Sequence, residues 1–422
     1  MIKAIKGTRD ILPPESALWN RVESTAREIF DLYSFSEIRT PIFESTELFA
    51  RGVGEDTDIV SKEMYTFEDR DEKSLTLRPE GTAPVVRACF EHQLRHEMPI
   101  AKLYYLGPMF RRERPQKGRY RQFHQIGAEV LGSDNPAIEA EILEMLQLFL
   151  VRIGIAEHTL LVNSIGCPLC RPPFLGKLKE ALVAKRALLC ADCRRRSETN
   201  PLRVLDCKVE SCQPIIDSLP KISDFLDEGC RAHFDKFLGY LDAREIAYQQ
   251  VPRLVRGLDY YTRTTFEITS TALGAQNTLI GGGRYDGLSE ILGGPPLKGF
   301  GFALGLERIV LILQETKKIA ETAPAQLFLA PLGEAAFEKA TLIAKFMRAE
   351  GIRCVLDFEA RSLKSAMRLA NKLQTQHVLI FGETELQNST YQLKHMASGE
   401  QTELTETDLR SKLVLGRLKG SF

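Results

Sequence analysis

The chain is notable first for what it lacks. Its 422 residues carry no net charge, with 56 Lys+Arg against 56 Asp+Glu. A global basic field is therefore absent, and any nucleic acid must be held by local patches. No run of eighteen apolar residues occurs, so no membrane span is expected. The first residues, Met1 to Glu15, include no apolar h-region, so a secretory signal is not expected either, and the reading is a cytoplasmic protein. Internal repeats and low-complexity tracts are missing. So are the G-x-x-x-x-G-K-[ST] loop and the dinucleotide-binding G-x-G-x-x-G fingerprint. Nine cysteines, an odd number, imply free thiols in a reducing compartment.

What is present is an ordinary globular composition, 44% hydrophobic and 27% charged, in a chain too long for one core. The 16–33 segment repeats apolar Leu18, Val22, Ala26, Ile29 and Phe30 on one helical face. Strand patterns follow at 35–39, 63–67 and 74–77, then a helix at 82–96 with Pro84 in its first turn. Segments 102–114 and 120–131 alternate apolar and polar residues around a basic turn, which predicts a long antiparallel hairpin. Residues 137–153 read as an amphipathic helix. From 166 to 248 cysteines, basic residues and helical periods dominate, after which strands return at 249–254, 265–270, 278–281 and 299–304, ending in a helix at 306–313. The 166–248 block thus reads as a mainly helical insertion between two halves of one antiparallel sheet, within a domain spanning 1–320. A polar stretch at 316–325 reads as a linker. Beyond it, strands at 327–332, 353–358, 377–381 and 391–396 alternate with helices at 334–350 and 363–373, predicting a small, mainly parallel α/β domain over 326–422. The class expected for the whole is α+β.

Four arginines stand on or beside predicted strands, next to Gly or Pro: Arg111, Arg119, Arg256 and Arg308. A guanidinium stays charged and offers a planar fork to phosphate or carboxylate, so the set points to anion recognition. Any one alone would be an ordinary surface ion pair. Gly281-Gly282-Gly283-Arg284-Tyr285-Asp286-Gly287 is either a hairpin turn or a glycine floor under a ligand, and the segment by itself does not choose.

Six motifs in order along the chain resemble those of the histidyl-tRNA synthetases, a family of class II aminoacyl-tRNA synthetases. They are Lys6-Gly7-Thr8-Arg9-Asp10; Thr40-Pro41-Ile42-Phe43-Glu44, similar to the dimerisation motif; Arg78-Pro79-Glu80-Gly81-Thr82; the stretch from Phe110 to Phe123, similar to motif 2; Leu254-Val255-Arg256-Gly257-Leu258-Asp259-Tyr260-Tyr261; and the stretch from Gly301 to Arg308, similar to motif 3. The resemblance implies a class II catalytic domain, an anticodon-binding domain, a homodimer, and the substrates L-histidine, ATP with Mg²⁺, and tRNA-His. It implies that Arg111 grips the α-phosphate and that Glu113 faces the adenine amino group. Arg119 and Arg308 would hold the triphosphate, and Arg256 would contact both α-phosphate and histidine carboxylate. Glu129 would accept from the imidazole N–H, with Tyr261 and Tyr260 at the other nitrogen. Glu80, Gly81, Thr82, Gln125 and Arg111 would complete the histidine site. On the last domain Arg361, Lys364, Arg368 and Lys372 recur at helical spacing, giving a basic face suited to tRNA phosphates.

Two matters stay open in the sequence. Cys167-x-x-Cys170 and Cys190-x-x-Cys193 have the spacing of a four-thiolate zinc site, with Cys207 and Cys212 close behind. Zinc is not a general feature of the family, so a structural site, a relic or reduced thiols all remain. The rival to an active ligase is the synthetase-like regulatory subunit of ATP phosphoribosyltransferase. Such proteins lack the second domain and lose motif residues, both of which this chain keeps.

Overall fold

The computed structural model describes residues 2–411 apart from 56, 117, 274–277, 317–324 and 360. The chain divides into two compact units, Met1–Ile319 and Ala320–Phe422. Most of the expected linker at 316–325 lies outside the described residues.

In the first unit the strands are β1 (Ser36–Glu37), β2 (Phe43–Ser45), β3 (Tyr65–Glu68), β4 (Ser74–Leu77), β5 (Ala101–Phe110), β6 (Gln122–Leu131), β7 (Thr159–Ser164), β8 (Gln249–Gln250), β9 (Thr262–Thr269), β10 (Thr278–Arg284) and β11 (Gly299–Gly305). Eight form one sheet in the order β1-β5-β6-β11-β10-β9-β7-β8, and β2-β4-β3 form a small antiparallel sheet beside it. The six inner strands of the large sheet are antiparallel. The edge pairs β1/β5 and β7/β8 are parallel, so the sheet is mixed rather than antiparallel throughout. Strand β7 was not foreseen: a short apolar run beside a helix carries no periodicity of its own. The expected strand at 249–254 shrinks to two residues, because Asn163 takes the carbonyls of Pro252 and Leu254 with its side-chain amide.

Alternation in the strands sends two different sets of side chains to the two faces of the sheet. Ile126, Ala128, Val130, Phe266, Ile268, Ile280, Phe300, Phe302 and Leu304 join a core completed by helices Glu15–Leu32, Pro136–Ile153, Glu228–Ala243 and Leu306–Glu315. On the first helix the buried residues are Leu18, Trp19, Val22, Ala26, Ile29 and Phe30, the face its sequence period predicts. The second is capped by Asn135, whose side chain accepts from the Ala137 N–H, and ends on Gly154 in the left-handed region. The polar face of the same sheet carries the candidate site.

Residues between β7 and β8 are mainly helical, with helices Arg171–Ala184, Ala191–Thr199, Gln213–Asp217 and Glu228–Ala243. They have a small core of their own around Phe174, Leu178, Leu182, Val204 and Ile216. The last of these helices leaves that core and packs Phe237 and Leu241 into the main one. It is pinned there by His233, whose Nε2 lies 2.7 Å from Glu139. Glu139 in turn holds Arg284 of the glycine-rich segment, 2.6 Å away and fully buried.

The second unit has β12 (Leu327–Pro331), β13 (Cys354–Leu356), β14 (His377–Phe381), β15 (Thr390–His395) and β16 (Gln401–Thr405), in the order β13-β12-β14-β15-β16. The first three are parallel and the last two antiparallel. β16 was not expected; it is largely exposed, so its alternation is weak. Helix Glu334–Ala349 packs on the face of Leu327 and Leu329, and helix Leu363–Lys372 on the face of Phe328 and Ala330. This two-sided burial gives β12 its continuous apolar run. Among the described residues no helix is long and apolar enough to cross a membrane.

Candidate active site

The polar face of the large sheet is built on glycine. In β6 the residues Gln125, Gly127 and Glu129 share this face, and opposite them on β11 stand Gly305, Ala303 and Gly301. Continuing outward, Gly281 and Gly283 of β10 face Ala303 and Gly301, and Glu267 and Thr265 of β9 follow. On the other side Gly107 and Tyr105 of β5 oppose Gln125 and Gly127. Several of these glycines leave room for a side chain packed directly over them. A Cβ on Gly301 would overlap the Glu129 carboxylate, one on Gly281 the Arg256 guanidinium, and one on Gly127 or Gly81 the Tyr105 ring. The 281–283 run is therefore both the end of a strand and a floor, not a hairpin turn.

Above this floor is a cleft of about 650 Å³ lined by Arg111, Glu113, Arg119, Gln125, Arg256, Glu267 and Arg308. All four arginines singled out in the sequence meet here. Arg111 donates Nε–H to the Pro79 carbonyl at 2.9 Å and lies over the Phe123 ring, 5.2 Å from its centroid. Both contacts fix the guanidinium plane. Arg119 pairs with Glu113 at 3.1 Å. Arg256 is ion-paired with Glu267 and sits over Tyr261. Burial works against its charge, but Glu267 and the two tyrosines more than offset that, so it is held firmly protonated. Arg308 is bonded to the Thr278 carbonyl; burial first, then repulsion from Arg119, lower its pKa. Two buried atoms facing this region have no hydrogen-bond partner, Gln125 Oε1 and Arg256 Nε. Unsatisfied buried polar groups are costly, and at a concave site they mark where a ligand is received.

Deeper on the same face is a closed polar cluster. Glu129 is fully buried. It accepts from Thr82 Oγ1 at 2.8 Å and from the Tyr285 hydroxyl at 2.6 Å. Even with two donors its carboxyl is pushed up to about 8, mainly by burial, with the charge of Glu80 adding to it. Tyr260 and Tyr261 lie 4.7 Å apart between centroids with their rings tilted at 45°, and Tyr260 meets Tyr285 edge-on. Desolvation by burial raises the pKa of all three hydroxyls. Such a pocket offers hydroxyls and one carboxyl to a small ring bearing both a donor and an acceptor.

Of the remaining expected residues, Glu80 and Thr82 sit at the start of the helix that follows β4. Glu80 accepts the backbone N–H groups of Thr82 at 2.7 Å and Ala83 at 2.9 Å, so it satisfies the first free N–H groups of helix Thr82–Glu91 from just before its cap residue, Gly81. That helix stops at Glu91, short of the expected 96, because Gln93 turns to φ 51°. Tyr285 was missed as a site residue; its signal was its place in the glycine-rich segment, which cannot reveal a bond to a residue 156 positions away.

On the second unit, Lys364 and Arg368 lie exposed on helix Leu363–Lys372. Arg361 does not share that face. It precedes the helix and is paired with Asp357 and Glu359, which corrects its place in the basic set.

The Cys167, Cys170, Cys190 and Cys193 array does not close as one site. Cys167 and Cys170 gather with Asp227 and Cys230, while Cys190 and Cys193 gather with Cys207 and Cys212. Linear spacing joined two pairs that the fold sends to different partners.

Comparison with known proteins decides the family. The model of the family described as Histidyl-tRNA synthetase matches residues 7–167 and 206–309, and that of the Anticodon binding domain matches 326–414. The chain belongs to the histidyl-tRNA synthetase family. It is 55% identical over 414 residues to the histidine–tRNA ligase of Solibacter usitatus, covering 98% of this chain and 99% of that one. With the histidine–tRNA ligase of Koribacter versatilis it shares 52% over 420 residues, 97% and 95% of the two chains. The crystal structure of apo S. aureus histidyl-tRNA synthetase matches with a TM-score of 0.81 at 38% identity, covering 99% of each chain. In a histidyl-tRNA synthetase an arginine cleft beside a buried carboxyl has an immediate chemical sense.

Proposed function

We propose that this one sheet face performs both steps of histidine–tRNA ligation: the protein is a histidine–tRNA ligase, an aminoacyl-tRNA ligase, by family membership and by the match of its relatives over nearly their whole length. In the first step a carboxylate oxygen of histidine attacks the α-phosphorus of ATP and pyrophosphate leaves. In the second the terminal ribose hydroxyl of tRNA-His attacks the activated carbonyl and AMP leaves. ATP enters as its Mg²⁺ complex. The protein's part in such a displacement is to position the reactants and stabilise charge.

The observation that carries this reading is Glu129 and the arginine cleft on one glycine floor. Glu129 takes the imidazole N–H, and Tyr261 with Tyr260 addresses the other ring nitrogen. Gln125 Oε1, unpartnered in the free protein, accepts from the α-amino group, with Thr82 and the remaining lone pairs of Glu80 beside it. Gly81 leaves room for Tyr105 at the pocket wall. Arg256 bridges histidine carboxylate and α-phosphate, with Arg111 on the same phosphate. Arg119 and Arg308 hold the outer phosphates, and Glu113 faces the adenine amino group. A polar pocket of this type rejects amino acids that leave its groups unpaired by roughly 10⁴-fold.

The catalytic domain is read as 1–320 with the 166–248 insertion, and 326–422 as the anticodon-binding domain, where Lys364 and Arg368 meet tRNA phosphates. A homodimer is part of the proposal, supported by Ile42, Phe43 and Phe67, large apolar side chains left exposed around the Thr40–Glu44 motif. Free thiols suit a cytoplasmic setting. The regulatory-subunit reading is not favoured, since the chain keeps every motif arginine and a second unit that matches the anticodon-binding model. Charging of tRNA-His with labelled histidine tests the proposal. The expected result is ATP-dependent charging with histidine alone among the twenty amino acids; an adenylating but non-charging protein would overturn it.

A further inference from the structure

Seven cysteines and one aspartate of the insertion have no part in the chemistry above, and they fall into two tight groups.

 Of the nine cysteines in the chain, only Cys89 and Cys354 stand apart from these groups. In the first group are Cys190, Cys193, Cys207 and Cys212; in the second Cys167, Cys170, Asp227 and Cys230. Within each, the four donor atoms all lie within 4.8 Å of one another.

Buried cysteines often pack simply as small hydrophobic residues. Three features set these apart. The first is spacing. A tetrahedral zinc ion with bonds of about 2.3 Å to sulfur holds its sulfurs about 3.8 Å apart, and its sulfur and carboxylate ligands about 3.5 Å apart. Cys190 Sγ and Cys207 Sγ are 3.9 Å apart, and Cys167 Sγ and Cys170 Sγ 3.6 Å. Asp227 Oδ2 is 3.0 and 3.3 Å from the latter two sulfurs. Disulfides, at about 2.05 Å, are excluded by the same distances.

The second is the direction of the backbone. Five N–H groups donate to these sulfurs: Leu169 to Cys167, Asp227 to Cys170, Cys193 to Cys190, Val209 to Cys207, and Cys190 to Cys212, at 3.2 to 3.4 Å. Donors aimed at sulfur favour the thiolate, the form that binds metal, and orient it. The third is Asp227 itself. One carboxylate oxygen caps helix Glu228–Ala243 through the Cys230 N–H at 2.6 Å, leaving the other to face the sulfurs as a single ligand.

We infer that the insertion holds two structural zinc ions, one on Cys190, Cys193, Cys207 and Cys212 and one on Cys167, Cys170, Cys230 and Asp227. Thiolate-rich tetrahedral sets select zinc among the common divalent ions. Neither set leaves an open position, so the role is structural. Their placement gives that role a purpose. The second set closes the base of the insertion, joining its entry after β7 to its return helix. The adjacent Arg171 is bonded to the Tyr261 carbonyl. In the first set, Cys207 itself lines the arginine cleft, with Leu205, Asp206 and Lys208. A core as small as that of the insertion gains much from such clips. The stretch that the synthetase model leaves between its two matched segments, 168–205, carries Cys170, Cys190 and Cys193.

The test is metal analysis of the full chain, made in zinc-replete medium and purified without chelator, together with Cys193→Ser and Cys230→Ser variants. The wild type is expected to carry about two zinc ions per chain and each variant about one. Zinc below about a tenth of an equivalent in the wild type, or iron in its place, overturns the proposal. A single wild-type equivalent that Cys230→Ser leaves untouched overturns the aspartate-containing site. Because the wild-type stoichiometry is read directly, the proposal is decided even where a variant fails to fold.

Discussion

The Tyr285 hydroxyl donates to Glu129 across 2.6 Å, and this bond joins the glycine-rich segment to the centre of the proposed histidine pocket. In the proposed mechanism this makes Tyr285 a positioning residue: it orients the carboxyl proposed to read the imidazole ring. Replacing Tyr285 by Phe leaves one buried oxygen of Glu129 without its donor, a loss of about 1–3 kcal/mol. The expected outcome is a rise of about tenfold or more in the KM for histidine, with the KM for ATP unchanged. Steady-state pyrophosphate exchange at varied concentrations of each substrate checks it.

Glu129 also links stability to pH. Its carboxyl is held at about 8 in the folded protein, against an ordinary value of 4.5. Between those values the folded chain binds more protons than the unfolded one, so stability falls as pH rises through that window and the full cost is reached above 8. Glu129→Gln removes the titration. Its melting temperature, compared with the wild type, is expected to be more favourable at pH 9 than at pH 5, as thermal melts at the two values would show.

The glycine floor makes a sharp contrast possible. Gly301→Ala drives a methyl group into the Glu129 carboxylate and the Ala128 carbonyl, and is expected to cost about 1–3 kcal/mol and to abolish histidine activation. Gly239, inside helix Glu228–Ala243, has open space where a Cβ would stand. Gly239→Ala is expected to stabilise by about 0.5–1 kcal/mol with activity unchanged. Denaturant unfolding of the two variants side by side measures both.

Arg256 is held by Glu267, Tyr261 and the bare backbone of Gly281 at once. Lysine keeps the charge but not the planar fork. Arg256→Lys is therefore expected to lower pyrophosphate exchange by about 10²-fold while the fold, read by circular dichroism, stays intact.

On the second unit, reversing Lys364 and Arg368 to Glu is expected to weaken aminoacylation and leave adenylate formation unchanged. Arg361, neutralised by Asp357 and Glu359, is expected to matter less when reversed alone. Parallel charging and exchange assays separate these effects; equal loss of both activities in the double variant would count against an RNA-binding role.

Much of this architecture could be read from the chain because its signals are local. The helix ending at Leu32 announces its buried face through Leu18, Val22, Ala26 and Ile29, and the β5–β6 hairpin through its alternation. Arginines beside Gly and Pro were also legible, because few other arrangements call for them. What escaped depended on distant partners. β7 has no period of its own, and Tyr285 meets Glu129 only after β10 and β11 have paired. The cysteines mislead for the same reason: C-x₂-C spacing brings two sulfurs together locally, but Asp227, Cys230, Cys207 and Cys212 are recruited by the fold. Global charge was too coarse a measure, since it averages over the chain and hides that four arginines meet at one cleft.

The central claim is that one buried carboxyl beside an arginine cleft selects histidine for activation. Histidine-dependent ATP–pyrophosphate exchange by the full chain and its Glu129→Gln variant tests it most directly. The account predicts exchange supported by L-histidine in the wild type and lost in the variant, with the variant still folded. Near-normal exchange by Glu129→Gln, or wild-type exchange indifferent to histidine, would contradict it.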